Sequence, residues 1–295
     1  MKIGCGIVTC NRPDMLKVAY ESLWEWEPYY PDEYDNPLHY TVCDELVIVN
    51  DGDELPVIPY SDPDDQTFNL PQDLKRYFNI HYIKNETNIG VGKSKNKALQ
   101  HLLDKGCDYI FIMEDDMVIK NKDIFEAYID ASKITGIQHF MFGYHGPANK
   151  GGISGGKPLP KSIIDYGKLK IALNQHCVGA FCFYTKESLE MTGLYDENYL
   201  NAFEHVDHSY ELAKNGYSTP YWNWADLANS CDYIEEQECS EKSSSIRPRQ
   251  DWIDNIQKAS KYFYEKHGYT PVGVPETSRE DVIKFLKNAK GNSQS

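Results

Sequence analysis

The first half of the chain alternates short apolar runs with segments of helical periodicity, and this alternation limits the possible folds more than any other feature. Residues 2–10 read as a buried strand. "PDMLKVAYESLW" then places Met15, Leu16, Ala19 and Leu23 at helical spacing, with Pro13 in the first turn. "DELVIVND" (44–51), "NIHYI" (79–83) and "DYIFIM" (108–113) are three further strand-like runs. Residues 93–105 set Ala98, Leu99, Leu102 and Leu103 on one helical face before Gly106 stops the helix. Such a βαβ succession implies an α/β fold with a Rossmann-like, mostly parallel central sheet and helices on both faces. A chain of 295 residues is long enough to bury its core.

The later sequence changes character. "GYHGPANKGGISGGKPLPK" (143–161) is rich in Gly and Pro and reads as a long loop, a lid or an insertion. "HCVGAFCFYT" (176–185) returns to strand, and "EHVDHSYELAKNG" (204–216) is a helix with a Gly stop. Helices near 251–267 and 278–289 form a C-terminal helical extension, and the polar end "GNSQS" is expected to be disordered. "WEWEPYYPDEYDNPLHYTVCDE" (24–45) is too long for a simple connection, and reads as a solvated excursion, an edge insertion or an acceptor-contacting element.

Charge and composition narrow the function classes. The formal net charge of −15 disfavours a general duplex nucleic-acid surface but suits a protein that works with a divalent cation. Eight cysteines include no Cys-x-x-Cys pair, so a zinc ribbon is not indicated, and buried free thiols in a reducing compartment are expected. No apolar stretch approaches the roughly 20 residues of a membrane helix and no signal peptide is evident, so a cytoplasmic location is expected.

"NETNIGVGKSKNKAL" (85–99) imitates a phosphate-binding loop, but a Walker motif ending in Gly92-Lys93-Ser94 needs glycine at position 87, which is Thr87. The same residues fit a different pattern. "NIGVGKSKNKAL" resembles the Asn-x-Gly-x-x-x-x-x-Asn-x-Ala-Leu signature of family 2 glycosyltransferases with the GT-A fold. In the order that family shows stand "IVTCNRPDMLKVAYESL", "LVIVNDGD", "IFIMEDDMVI" in place of an Asp-x-Asp strand end, and "VGAFCFYTKESLEMTGLYDENYLNAFEHVDHSYELAKNG". The resemblance covers about residues 1–216. It implies a nucleotide-sugar-binding and catalytic domain there, with 217–295 packed on it as an extension.

What the resemblance implies for the site has a physical reason in each case. Glu114, Asp115 and Asp116 follow a strand end, where three successive carboxylates repel one another unless a cation gathers them. Asp116 would be the direct metal ligand, with Glu114 and Asp115 reaching the ion through water or holding the donor's sugar and ribose. Hard oxygen ligands favour Mn2+ or Mg2+. Thr9, Asn11 and Arg12 would line the base and ribose pocket, and Asp51 would accept a hydrogen bond from uracil. Gly90 and Gly92 would let backbone approach the donor, and Lys93 would offset phosphate charge. Asn88 and Asn96 read as loop-organising residues.

Glu204, Asp207, His208 and Glu211 fall on one helical face. That face is either solvated or catalytic. An inverting transferase needs a base for the acceptor hydroxyl, which leaves Glu204, Asp207 and His205 as candidates; a retaining enzyme would need none. His205 or His208 is an alternative metal ligand, and His267 is the only histidine beyond this helix. Trp222 and Trp224 are acceptor-pocket candidates or core anchors, and Arg247 and Arg249 lie in a polar loop able to close over a diphosphate. The leading expectation is therefore a metal-dependent transferase acting on a nucleotide-sugar donor, with UDP favoured. Its acceptor would be a hydroxyl on a glycan or other biopolymer, a hydroxylated DNA base included. A P-loop-like NTPase, a nucleotidyltransferase and a non-catalytic glycan-binding module are the competing classes.

Overall fold

The computed structural model describes residues 1–26, 39–41, 43–53, 79–152, 155–237 and 251–292. In chain order the strands are Ile3–Thr9 (β1), Trp24–Trp26 (β2), His39–Thr41 (β3), Glu45–Asn50 (β4), Asn79–Lys84 (β5), Tyr109–Glu114 (β6), Met117–Ile119 (β7), His139–Met141 (β8), Ser162–Asp165 (β9), Lys170–Asn174 (β10), Phe181–Thr185 (β11), Trp224–Leu227 (β12) and Ile234–Glu236 (β13). The helices are Pro13–Glu21 (α1), Val91–Asp104 (α2), Ile124–Thr135 (α3), Lys186–Thr192 (α4), Glu204–Lys214 (α5), Trp252–His267 (α6) and Arg279–Asn292 (α7).

The central sheet runs β5-β4-β1-β6-β11-β8. The first four strands are parallel, as the βαβ pattern requires, and β11 lies antiparallel between β6 and β8. Helices cover both faces, and the alternation along β1 shows how. Gly4 and Gly6 face α2, which packs so closely that a Cβ on Gly6 would lie 2.7 Å from Ile112 Cδ1 and 2.9 Å from Ala98 Cβ. Cys5 pairs with Phe111 on the opposite face. There Phe125 and Tyr128 of α3 meet the Phe111 ring at centroid distances of 4.5 and 6.3 Å.

The structure refines the sequence reading at several points. The strand expected over 176–185 begins only at Phe181, because Gly179 lies against α5, where a side chain would strike His205. Strands β8, β9, β10, β12 and β13 were not anticipated, since segments of three to five residues show no periodicity. Residues beyond 216 are woven into the same body, with β12 pairing with β10 and β13 with β7. The helix expected over 278–289 continues to Asn292. The excursion after α1 begins and ends as the β2–β3 ribbon, and its middle lies outside the described residues.

Gly6→Ala is expected to destabilise the protein by about 1–3 kcal/mol through overpacking against α2. A guanidinium denaturation midpoint equal to that of the parent would show that α2 does not sit this close to β1.

Candidate functional site

After β1, β4 and β5 the chain crosses back to place β6 on the far side of β1, which makes a topological switch point. Ligands of open α/β sheets bind beyond the strands' carboxyl ends at such a point. A cleft opens there, lined among others by Thr9, Arg12, Asp51, Asn88, Glu114 and Asn201.

Glu114, the first carboxylate of the acidic turn after β6, lines it, and Asp115 and Asp116 lie behind Thr9 and Arg12 of its wall. Asp115 is 0% and Asp116 4% exposed, so both carboxylates have lost their water. The last residue of β1 and the turn after it offset this. Thr9 Oγ1 donates to Asp115 Oδ2 at 2.6 Å and Arg12 Nε to the same oxygen at 3.2 Å, while Arg12 Nη2 closes an ion pair on Asp115 Oδ1. Arg12 Nη1 reaches Asp116 Oδ2 at 3.2 Å, and His145 Nε2 lies 3.5 Å from that oxygen. Burial pushes Asp115 up to about 7 against the pull of Arg12 and Thr9. For Asp116 burial acts the same way, but the contacts with His145 and Arg12 outweigh it and hold the carboxyl below its ordinary range. Asn11, at φ 54°, turns its Oδ1 to accept from the Asp53 N–H at 2.7 Å, so it shapes the neighbouring turn.

Glu114 is held from another side. Lys95, 0% exposed, donates to Glu114 Oε1 at 2.7 Å and to the Gly179 carbonyl at 2.8 Å. The sequence reading singled out Lys93, which is half-buried and has no ion-pair partner among the described residues. Lys95 was overlooked because a lysine within "KSKNK" looks solvent-facing. His145 and Glu236 were overlooked too. Glu236 Oε1 binds Lys150 at 2.7 Å and its other oxygen accepts from the Gly146 N–H, which ties the Gly/Pro-rich loop carrying His145 to β13.

The loop that imitates a phosphate cradle already holds an anion. Asp51 Oδ1 accepts from Ile89 N–H and Asn85 Nδ2, both at 2.8 Å, and Oδ2 accepts from Gly90 N–H at 2.9 Å. The carboxylate thus occupies the place a phosphate would take, which removes the basis for the P-loop reading. Asp51 was expected to meet the base; the contacts it makes are to this loop. Gly90 and Gly92 were expected to admit the donor, but the close approach they permit is to the chain itself. A Cβ on Gly90, at φ +93°, would lie 2.4 Å from the Leu200 carbonyl, and one on Gly92 3.3 Å from Glu204 Cβ. Asn88 and Asn96 organise loops as expected: Asn88 Nδ2 donates to the Asp51 carbonyl, and Asn96 exchanges hydrogen bonds with the Tyr195 backbone.

The acidic face of α5 divides in two. Glu204, 4% exposed, stands against Gly92 with Oε1 3.1 Å from His205 Nδ1 and Oε2 without a partner among the described residues. Burial raises its pKa, but His205 and then Lys95 outweigh this and hold it at about 2. Asp207, by contrast, binds Lys266 Nζ at 2.8 Å, His267 Nε2 at 2.7 Å and Tyr199 OH at 3.0 Å, so its carboxylate anchors α6 and is not available as a base. The candidate metal ligand His208 is 2% exposed, donates Nε2–H to the Gly193 carbonyl at 2.9 Å and packs on Tyr195, and no contact with the acidic turn is seen among the described residues. Trp224 is a core residue at 0% exposure, and Trp222 donates its indole N–H to the Val274 carbonyl at 2.7 Å, so the structure gives both an anchoring role. Arg247 and Arg249 lie outside the described residues.

No protein-family model matches the chain. An uncharacterized glycosyltransferase of Acanthamoeba polyphaga mimivirus is 27% identical over 198 residues, spanning 63% of this chain and 70% of the relative. The structure of TarS residues 1–349 from S. aureus, in complex with UDP, superposes with a TM-score of 0.51 at 14% identity over 98% of this chain and 70% of that one. GalNAc-T7, solved with UDP, GalNAc and Mn2+, gives 0.53 at 13% identity over 98% of this chain and 54% of that one. The fold is that of the GT-A glycosyltransferases. Within a GT-A frame the Glu114–Asp116 turn meets a direct test as a cation site: Asp116 Oδ1 is buried with no hydrogen-bond partner among the described residues, an oxygen lone pair without a proton donor or ion. These residues therefore fit a divalent ion with hard ligands. Among the described residues no helix is long and apolar enough to cross a membrane.

Lys95→Met is expected to strand the Glu114 carboxylate and lower stability by about 2–3 kcal/mol, less than for a fully buried pair because Glu114 is 26% exposed. A thermal melt checks this, and an unchanged Tm would show that Lys95 is not needed to neutralise the strand end.

Proposed function

We propose that this protein is a metal-dependent glycosyltransferase that moves a sugar from a nucleoside diphosphate, with UDP the favoured carrier, to an acceptor hydroxyl on a glycan or other biopolymer. The observation that carries the reading is a buried carboxylate oxygen, Asp116 Oδ1, without a partner among the described residues, two residues from Glu114 and in contact with Arg12, both of which line the switch-point cleft. Asp116 would hold Mn2+ or Mg2+, with Glu114 beside it. A cation bound there supplies Lewis-acid stabilisation for the charge gathering on the departing diphosphate.

The chain's own residues do the rest. Thr9 and Arg12 keep Asp115 and Asp116 in place at the mouth of β1 and β6, and Lys95 keeps Glu114 in place. Lys93, in the first turn of α2, is a cation ready to offset phosphate charge. Glu204 is the base that the geometry favours, since of the three candidates it has an ionised, buried carboxylate with one oxygen unpartnered among the described residues. His205 sits at its other oxygen and orients it. Glu204 would receive the acceptor's proton as the new bond forms, which is the inverting course.

UDP with Mn2+ is expected to raise the Tm, and ATP with Mg2+ to leave it unchanged. Asp116→Asn is expected to abolish the Mn2+-dependent part of UDP binding in calorimetry; a variant that keeps the parent's metal dependence would overturn the assignment. Glu204→Gln is expected to bind UDP and Mn2+ normally but to lose roughly 10²–10⁴-fold in kcat. Equal loss of binding and turnover would make Glu204 a structural residue.

A further inference from the structure

A second group of ligand-type side chains lies at the opposite end of the sheet. Glu45 opens β4, His81 lies within β5, and His101 lies in the last turn of α2. Register brings them together. Glu45 pairs with Gly4, while Val47 pairs with both Gly6 and His81, so Glu45 and His81 share the sheet face that α2 covers.

One donor atom from each of the three residues lies within 4.8 Å of the other two. His81 Nε2–H donates to Glu45 Oε2 at 3.2 Å, a proton that a metal would replace. That separation matches the edge of a tetrahedron with metal–ligand bonds of about 2.0–2.1 Å, roughly 3.3 Å. The two imidazoles stand 4.3 Å apart at an interplanar angle of 54°, tilted rather than stacked. His101 Nε2 is buried and has no hydrogen-bond partner among the described residues. Glu45 is 3% exposed, and its other oxygen takes Lys2 Nζ at 2.8 Å. Lys2 also donates to the Lys105 carbonyl at 2.8 Å, which orients the carboxylate from outside in the way that outer partners fix ligating groups. Burial first, and neighbouring positive charge after it, lower the pKa of both histidines, leaving the neutral form that binds metal.

We propose that Glu45, His81 and His101 form a zinc site that clamps α2 to β4 and β5. Two imidazoles and one carboxylate suit Zn2+ far better than the Mg2+ or Mn2+ preferred by an all-oxygen set. Three protein ligands leave the fourth position to water. The clamp acts on the carboxyl-terminal half of α2, whose amino-terminal half carries Lys95 and packs Gly92 against Glu204. The site is independent of the acidic turn and does not rest on the proposed sugar transfer.

The full chain, stripped of metal and held in excess Mg2+, is titrated with Co2+ as a spectroscopic stand-in for Zn2+. The expected result is one equivalent giving the intense visible bands of tetrahedral cobalt, displaced by Zn2+, with Zn2+ raising the Tm. His81→Gln and His101→Gln are expected to weaken binding on the order of a hundredfold, and Asp116→Asn to leave it unchanged. Absence of the tetrahedral bands, binding that survives both histidine substitutions, or binding lost in Asp116→Asn would each overturn the proposal. Anomalous scattering at the zinc edge from soaked crystals of the unsubstituted protein decides the matter without a variant: a peak between the two imidazoles supports the site, and none there removes it.

Discussion

The arrangement of the cleft depends on how three successive carboxylates are kept at the end of one buried strand. Mutual repulsion and lost hydration both oppose gathering Glu114, Asp115 and Asp116 there. Partners from three parts of the chain share the neutralisation. Thr9, which ends β1, and Arg12, in the turn after it, take Asp115; Arg12 and His145, from the Gly/Pro-rich loop, both meet Asp116 at Oδ2; and Lys95, from α2, takes Glu114. Because β1 and β6 are hydrogen-bonded neighbours, the polar knot continues the sheet beyond its last ladder bond. It also leaves Asp116 Oδ1 over, the feature on which a cation site rests.

The same economy governs the neighbouring loop. A ring of backbone N–H groups ahead of α2 would attract any anion, and Asp51 supplies one internally. That carboxylate joins β4 to the start of α2 and so sets the depth at which Gly92 meets Glu204. Glycine at 90 and 92 is needed for the chain's own segments to touch. Resemblance to a phosphate loop arises here because both devices need glycine and free N–H groups.

Charge on α5 serves two ends at once. Near its start Glu204 packs against Gly92 of α2, whereas Asp207 and Glu211 face α6, where His267 lies between them at 2.7 and 3.6 Å. Lys266 spans Asp196 and Asp207 at 3.0 and 2.8 Å, so α6 braces both the turn before α5 and α5 itself. A C-terminal segment thereby holds the helix that carries Glu204.

The order β1, α1, β4, β5, α2, β6, the parallel pairing of those strands and the acidic turn at the end of β6 were legible in the amino-acid sequence. Hydrophobic periods, turn residues and strand-end placement are local properties, readable within a dozen residues. What the side chains do to one another was not. Thr9 and Asp115 are 106 residues apart, and Asp207 and His267 are 60 apart. Nothing near Asp207 reveals that its carboxylate is already taken, nothing near Trp224 reveals that it is entombed, and nothing in "KSKNK" marks Lys95 as the buried cation and Lys93 as the one without an ion-pair partner among the described residues. Only tertiary packing assigns those partners, because desolvation and pairing depend on which distant groups the fold brings within hydrogen-bond reach.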